Sequence, residues 1–253
     1  MGDGMRLEEK RTRFDRQLIM PEIGEKGQDI LFHSHVAVVG AGGLGYPVIS
    51  YLAAAGIGRI TIVDSDIVEL TNLNRQLFYR TEDLGKKKAM LARKRIEAAF
   101  PDVIVDTHIE HLTSINVDAL LIENDIIVDA VDNLSTRYVI NRWAVKKGVP
   151  VIFGAVESMR GMVYVFDPGD PGKPCYECMF PQRKKGRPTP VPIVGAAAGV
   201  IGSWQAVEVV NYLCHGNSTG SGMLNIDIGR GRVVTRKNIL NSSCFCRGER
   251  GLI

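Results

Sequence analysis

Apolar positions along the chain fall into short runs separated by amphipathic stretches. Residues 36–39, 59–63, 126–131 and 149–156 are compact runs rich in Val and Ile, which predict buried strands. Residues 103–109 alternate apolar and polar, a fifth strand. Between these runs, 44–55 predicts a helix of small residues ended by Gly56. Residues 85–100 predict an amphipathic helix with Leu91, Ile96 and Phe100 on its apolar face and Pro101 after it. Residues 112–122 and 135–147 predict two more. Strands alternating with helices imply βαβ units and a mostly parallel sheet. Past Gly161 the pattern changes. A strand at 162–166 leads into a stretch, 167–192, rich in Pro, Gly and Lys/Arg. A long helix follows at about 195–213, then a hairpin of 223–228 and 232–237 around Gly229 and Gly231.

Composition narrows the class. With 253 residues, 45% hydrophobic and 23% charged, the chain has the make-up of a soluble globular protein. A net charge of +3 is too small to argue for nucleic acid. The basic runs Lys86–Lys88 and 183–187 read as solvated faces or loops. No stretch reaches the ~20 apolar residues of a membrane span; the longest apolar region is broken by Ser203, Gln205, Glu208 and Asn211. The charged N-terminus lacks the apolar core of a secretory signal. The cytoplasm is the expected location, where clustered cysteines point to metal or catalysis rather than disulfides.

The chemistry begins at Gly40-Ala41-Gly42-Gly43-Leu44-Gly45, between the first strand and its helix. This G-x-G-x-x-G lets backbone approach phosphates at a helix N-terminus; its competing role is a tight strand–helix turn. Asp64, at the end of the second strand, can accept from a ribose hydroxyl. Asp66 reads better as a cap or turn residue. Asn72, Arg75 and Gln76 lie in "NLNRQLF", where Arg75 can bind phosphate in bidentate fashion. Lys86, Lys87 and Lys88 begin a helix, where cations oppose the dipole, so an anion is expected nearby. A triphosphate needs more of these cations than a dinucleotide does.

"DAVDNLSTR" places Asp129, Asp132 and Asn133 past a buried strand, at the sheet edge where open α/β folds bind ligands. A carboxylate beside a triphosphate holds Mg²⁺; Asp132 could equally cap the following helix. "RFDRQ", 13–17, reads as surface. Cys175-Tyr176-Glu177-Cys178 and Cys244-Phe245-Cys246 together suggest a closed, structural Cys₄ zinc site, although the second pair has one intervening residue rather than two. Cys214 reads as a small buried hydrophobe.

"RFDRQ", "GAGGLG", "DSD", "NLNRQ", "GKKK", "DAVDN", "CYEC", "GVIGSWQAVE" and "CFC" resemble, in order, the motifs of the MoeB/ThiF/HesA family, bacterial relatives of ubiquitin-activating enzymes. The resemblance runs from Arg13 to Cys246. It implies an α/β, Rossmann-like, mostly parallel sheet flanked by helices, with a C-terminal antiparallel extension and zinc site. The expected organisation is one adenylation domain over 1–253, with an N-terminal arm (1–34), a nucleotide-binding core (35–160) and a C-terminal elaboration (161–253). In the family the glycine loop binds ATP. The enzyme adenylates the C-terminal Gly-Gly carboxylate of a small β-grasp sulfur-carrier protein, in molybdopterin, thiamin or related biosynthesis.

The roles implied are ATP binding by Gly40, Gly42, Gly43, Gly45 and Asp64, with Asp66, Asn72 and Asn133 in the same site. Arg75 and Lys88 would hold phosphates and Asp132 Mg²⁺. Arg16 would reach the phosphates of a second subunit across a homodimer. The chain departs from many relatives in lacking a cysteine over 180–199, the loop that in those members carries one for sulfur transfer, and a C-terminal rhodanese domain is not expected. An NAD-dependent oxidoreductase would leave Arg75, Lys88 and Asp132 unemployed. A tRNA-modifying relative would use the basic loop 183–187, but the motif spacings fit the carrier-protein activators better, and nucleic-acid and membrane partners are not expected. A binding module without activity would not need the whole set of candidate catalytic residues.

Overall fold

The computed structural model describes residues 11–181, 191–216, 222–237 and 239–246. Eight strands among them form one sheet. They are β1 (His35–Val39), β2 (Arg59–Val63), β3 (Ile104–His108), β4 (Ile126–Asp129), β5 (Val151–Glu157), β6 (Arg160–Phe166), β7 (Gly222–Asp227) and β8 (Arg232–Lys237). Their order is β3-β2-β1-β4-β5-β6-β7-β8. The first five pair in parallel, with Val36 opposite both Ile60 and Ile126. β5 to β8 are antiparallel neighbours. The fold is therefore α/β, a mostly parallel sheet with an antiparallel C-terminal extension.

Alternation along β1 splits the core in two. Val36 and Val38 face a cluster with Leu31, Val48, Leu52, Ile96, Ile201 and Val209. These residues come from α2 (Gly24–His33), α3 (Gly45–Ala55), α4 (Lys88–Ala99) and α8 (Gly195–His215), the helical layer on that face. Ala37 and Val39 face the other cluster, with Leu121, Ile140, Trp143, Phe153 and Tyr164. That face is covered by α5 (Val117–Leu121), α6 (Leu134–Lys147) and the short α7 (Tyr176–Met179). Among the described residues, no helix is long and apolar enough to cross a membrane.

Several elements differ from the sequence pattern. The helix expected from residue 85 starts at Lys88, because Gly85 turns the chain at φ +79° and residues 67 and 87 form a bridge first. The helix expected over 112–122 shrinks to α5: the Asn116 side chain accepts from both the amide and the hydroxyl of Thr113, holding that turn out of the helix. The strand expected to reach residue 131 ends at Asp129, whose own carboxylate takes the Val131 N–H. The N-terminal segment contains two helices the pattern did not reveal, α1 (Asp15–Leu18) and α2. The buried face of α2 is Gly27, Gln28 and Leu31, so only one large apolar residue marks it. These helices dock at the amino edge of the sheet, where Gln17 and Gln28 both donate to Ala55 O at 3.0 Å.

Candidate functional site

The glycine loop joins β1 to α3 between the carboxyl ends of β2 and β4. Gly40 donates to Val63 O at 2.9 Å. Its φ of +100° suits glycine, and a Cβ there would meet Ala130 O at 2.7 Å. A Cβ on Gly45 would stand 1.9 Å from Gly40 O, so the loop closes on itself only without side chains. No side chain caps the start of α3, which leaves donors at that helix start for a ligand. Beside Gly42 lies Gln76, buried, with its Oε1 lacking a hydrogen-bond partner. Beside Gly43 lies the stem of Arg75, 3.6 Å from where a Cβ would sit.

Asp64 latches the loop to β2. Its carboxylate accepts from Ala41 N at 2.7 Å and from Asp66 N at 2.8 Å. Burial pushes this carboxyl above its usual value, against the pull of those two amides and of Lys88. Lys88 Nζ is buried and pairs with Asp66 Oδ2 at 3.0 Å. The anion that a lysine at this helix start calls for is therefore supplied within the chain. Lys87 Nζ donates to Ser65 O at 2.7 Å, and Lys86 pairs with Asp83 at 3.6 Å. Asn72 is buried and closes a turn, its side chain accepting from Glu69 N at 3.2 Å. Arg75 is tethered to Thr71 O at 2.8 Å and Asn74 Oδ1 at 3.0 Å.

On the other side of the loop, Asn133 caps α6 by accepting from Thr136 N at 2.9 Å. The cap that Asp132 could have supplied is thus taken. Asp132 is exposed and has no hydrogen-bond or ion-pair partner among the described residues. One free carboxylate plus substrate phosphates is a donor set that suits Mg²⁺. Arg16 stands apart. Its side chain is 87% exposed at the amino edge of the sheet, and its one ion-pair partner among the described residues is Asp15 at 3.8 Å. The structure brings together the glycines, Asp64, Asp66, Lys88, Asn72 and Arg75 on one side and Asp132 and Asn133 on the other; it does not bring Arg16 to them.

Pattern reading passed over several supporting residues. Tyr79 OH donates to Ala41 O at 2.7 Å, holding the loop from beneath. Gln205 of α8 donates to Asp129 O and Ile152 O at 2.9 and 3.1 Å. Arg137 and Asp129 form a buried ion pair at 2.5 Å. Burial pushes the Asp129 carboxyl up while Arg137 beside it pulls it down. A signal for Arg137 existed. It falls on the helical stripe of Ile140 and Ala144, where a charged residue must have a buried partner.

The cysteines converge as the spacing suggested. The four sulfurs of Cys175, Cys178, Cys244 and Cys246 all lie within 4.8 Å of one another. Measured separations are 3.9 Å (175–178), 3.6 Å (175–244) and 3.4 Å (178–246). Tetrahedral zinc with Zn–S bonds of about 2.3 Å sets neighbouring sulfurs about 3.8 Å apart, so this donor set fits zinc. The knuckle is held from outside. Asn141 accepts from Tyr176 N at 2.7 Å, and Arg142 pairs with Glu177 at 2.8 Å while covering the Phe245 ring. Cys214 is half-buried against Gly27, and burial pushes its thiol up, away from the reactive range. The basic loop 183–187, and residues 182–190 of the stretch noted as lacking cysteine, lie outside the described residues.

Comparison with known proteins adds a family. The ThiF family model matches residues 14–247. A sulfur carrier protein adenylyltransferase of Thermus thermophilus is 44% identical over 215 residues, covering 81% of this chain and 78% of that protein. The SAMP-activating enzyme E1 of Haloferax volcanii is 36% identical over 247 residues, 95% of this chain and 90% of that one. The adenylyltransferase and sulfurtransferase MOCS3 of Anopheles gambiae is 40% identical, and this chain spans 49% of its length. Among solved structures, E. coli MccB superposes with a TM-score of 0.82 at 20% identity, over 93% of this chain and 72% of that one, a likeness of fold. With a family model matched over residues 14–247 and relatives 44% and 36% identical over most of both chains, the chain belongs to the ThiF family.

Proposed function

We propose that this protein activates the C-terminal carboxylate of a small ubiquitin-like sulfur-carrier protein by ATP-dependent adenylation, the carrier ending in Gly-Gly. The observation that carries the reading is the pairing of a glycine-rich loop, latched by Asp64, with the carboxylate of Asp132, unpartnered among the described residues, across the same sheet edge. The names of the Thermus and Haloferax relatives, a sulfur carrier protein adenylyltransferase and a SAMP-activating enzyme, support it. In this reading the glycine loop and the start of α3 receive phosphates, and Asp64 accepts from the ribose. Arg75 and Lys88 leave their present tethers for phosphate oxygens. Asp132 would hold Mg²⁺, which neutralises charge on the phosphates.

A carboxylate oxygen of the carrier attacks the α-phosphorus in line. The new acyl–phosphate bond forms as the bond to the β-phosphate oxygen breaks, and pyrophosphate leaves. No covalent enzyme group is required; positioning and electrostatic stabilisation supply the rate. The active unit is a homodimer in which Arg16 completes the second subunit's site, consistent with its isolation within its own chain. The whole of 1–253 acts as one adenylation domain, and the cysteine knuckle binds zinc as a structural centre. The carrier-dependent exchange of labelled pyrophosphate into ATP tests the reading. It should be robust in the wild type, absent when the carrier lacks its terminal glycines, and lost in Asp132→Ala. Near-normal exchange in Asp132→Ala would remove the metal role.

A further inference from the structure

Asp132 is the one residue between two pinned points. Before it, Ala130 N donates to Val39 O at 3.0 Å and Val131 N to Asp129 Oδ1 at 3.1 Å. After it, Asn133 is committed to the start of α6. What fixes the first point is a side chain one helical turn further on. The guanidinium of Arg137 donates through Nε to Asp129 Oδ2 at 2.5 Å, and through one terminal nitrogen to Val131 O at 3.0 Å and Gly154 O at 2.6 Å. Its other terminal nitrogen lies 3.5 Å from Tyr176 OH, and its carbon lies 5.4 Å from the Tyr176 ring centroid. Tyr176 stands between Cys175 and Cys178 and is pinned to Asn141. Arg137 is thus braced on the cysteine knuckle and grips the backbone immediately ahead of Asp132.

We infer that Arg137 is a positioning residue for the metal-bearing carboxylate, fixing where Asp132 meets the nucleotide without touching it. The inference rests on the adenylation reading above. A planar fork with several fixed donors is needed to reach Asp129, Val131 and Gly154 together. A lysine, a point charge on a flexible stem, cannot reproduce it. The buried charge keeps Asp129 satisfied, but the grip on Val131 O is what bears on function. A residue of purely structural importance would change stability and leave the metal-dependent part of nucleotide binding alone.

The test measures binding of a non-hydrolysable ATP analogue by calorimetry, with and without Mg²⁺, in the full chain loaded with zinc. In the wild type Mg²⁺ tightens binding, and in Asp132→Ala that tightening is lost. Arg137→Lys should bind metal-free analogue within about twofold of wild type yet lose about tenfold of the Mg²⁺-dependent tightening, the size expected for removing an outer-shell partner. Zinc content should stay at the wild-type level. Should Arg137→Lys fail to fold, the pair Arg137→Gln with Asp129→Asn, which removes both buried charges, should show the same selective loss. A folded variant of either kind with the wild type's full Mg²⁺ tightening overturns the inference and leaves the adenylation reading standing. Wild-type protein that binds no analogue at all overturns both.

Discussion

Replacing Asp129 by alanine isolates the energetics of the buried pair at the centre of the molecule. Asp129 is fully buried and the Arg137 side chain is 6% exposed, so the substitution strands a guanidinium out of water. Removing one partner of such a pair costs about 3–5 kcal/mol, because the other charge stays buried and uncompensated. Here Val131 O, Gly154 O and the Tyr176 ring still receive part of the guanidinium, which argues for the lower end, about 3 kcal/mol. In a chain of this size each kcal/mol lowers the thermal midpoint by roughly 2–4 °C, so Asp129→Ala should fall by roughly 6–12 °C. Removing Arg137 as well, as Asp129→Ala with Arg137→Met, takes the stranded charge away and should recover at least half of that loss. The assay is urea unfolding of wild type, both single variants and the double, with zinc present throughout and the slope checked for constancy. Single-variant losses that simply add in the double would refute the reasoning, because residues joined by a buried ion pair must couple.

The cysteine cluster should hold one zinc per chain, and Cys178→Ser should lose the metal together with stability; freshly purified protein without zinc by elemental analysis would dismiss the site. Gly45→Ala should weaken ATP binding at least about tenfold, or ~1.4 kcal/mol, because the added carbon collides with Gly40 O, whereas Gly42→Ala only touches Gln76 at 3.4 Å; wild-type affinity in Gly45→Ala by calorimetry would show that the loop opens freely. Burial raises the Asp64 pKa, so its contribution to stability is fully present below the unfolded value of about 3.9 and is lost as pH rises through the folded value. Asp64→Asn should therefore gain on the wild type between pH 4 and pH 7 in urea midpoint, and a constant gap across that range would argue that the carboxylate is well solvated.

The parallel half of the sheet was readable because each of its buried strands is a compact Val/Ile run and each connection carries a glycine or an amphipathic helix. Reading became unreliable where polar side chains substitute for backbone partners. Asn116 and Asp129 each redirect a nearby amide with a side-chain oxygen and so move an element boundary, an effect that periodicity does not encode. Helix α2 escaped notice because glutamine and glycine do its packing. In the site, glycines and acids announced themselves by spacing. Residues that act through others left fainter marks: Tyr79 beneath the loop, Gln205 across the sheet and Arg137 on an apolar stripe. The internal tethers of Arg75 and Lys88 could not be foreseen, since Thr71 and Asn74 had no assigned place and Asp66 read as a cap or turn residue rather than as the partner of Lys88.

The cysteine knuckle also imposes an order on how the chain can be finished. Cys175 pairs in space with Cys244, 69 residues later, and Cys178 with Cys246, 68 residues later. During synthesis at about 5–20 residues per second, the first pair emerges several seconds before its counterparts exist. The strands around the nucleotide edge are complete by then, yet Tyr176, against which Arg137 rests, belongs to a loop whose clasp has not arrived. The nascent protein must pass through an interval in which two thiols wait without their partners beside a sheet that still lacks β7 and β8, open to oxidation or to a borrowed metal. In the zinc reading proposed above, delivery of the metal, more than formation of the parallel strands, sets the moment at which the molecule becomes whole.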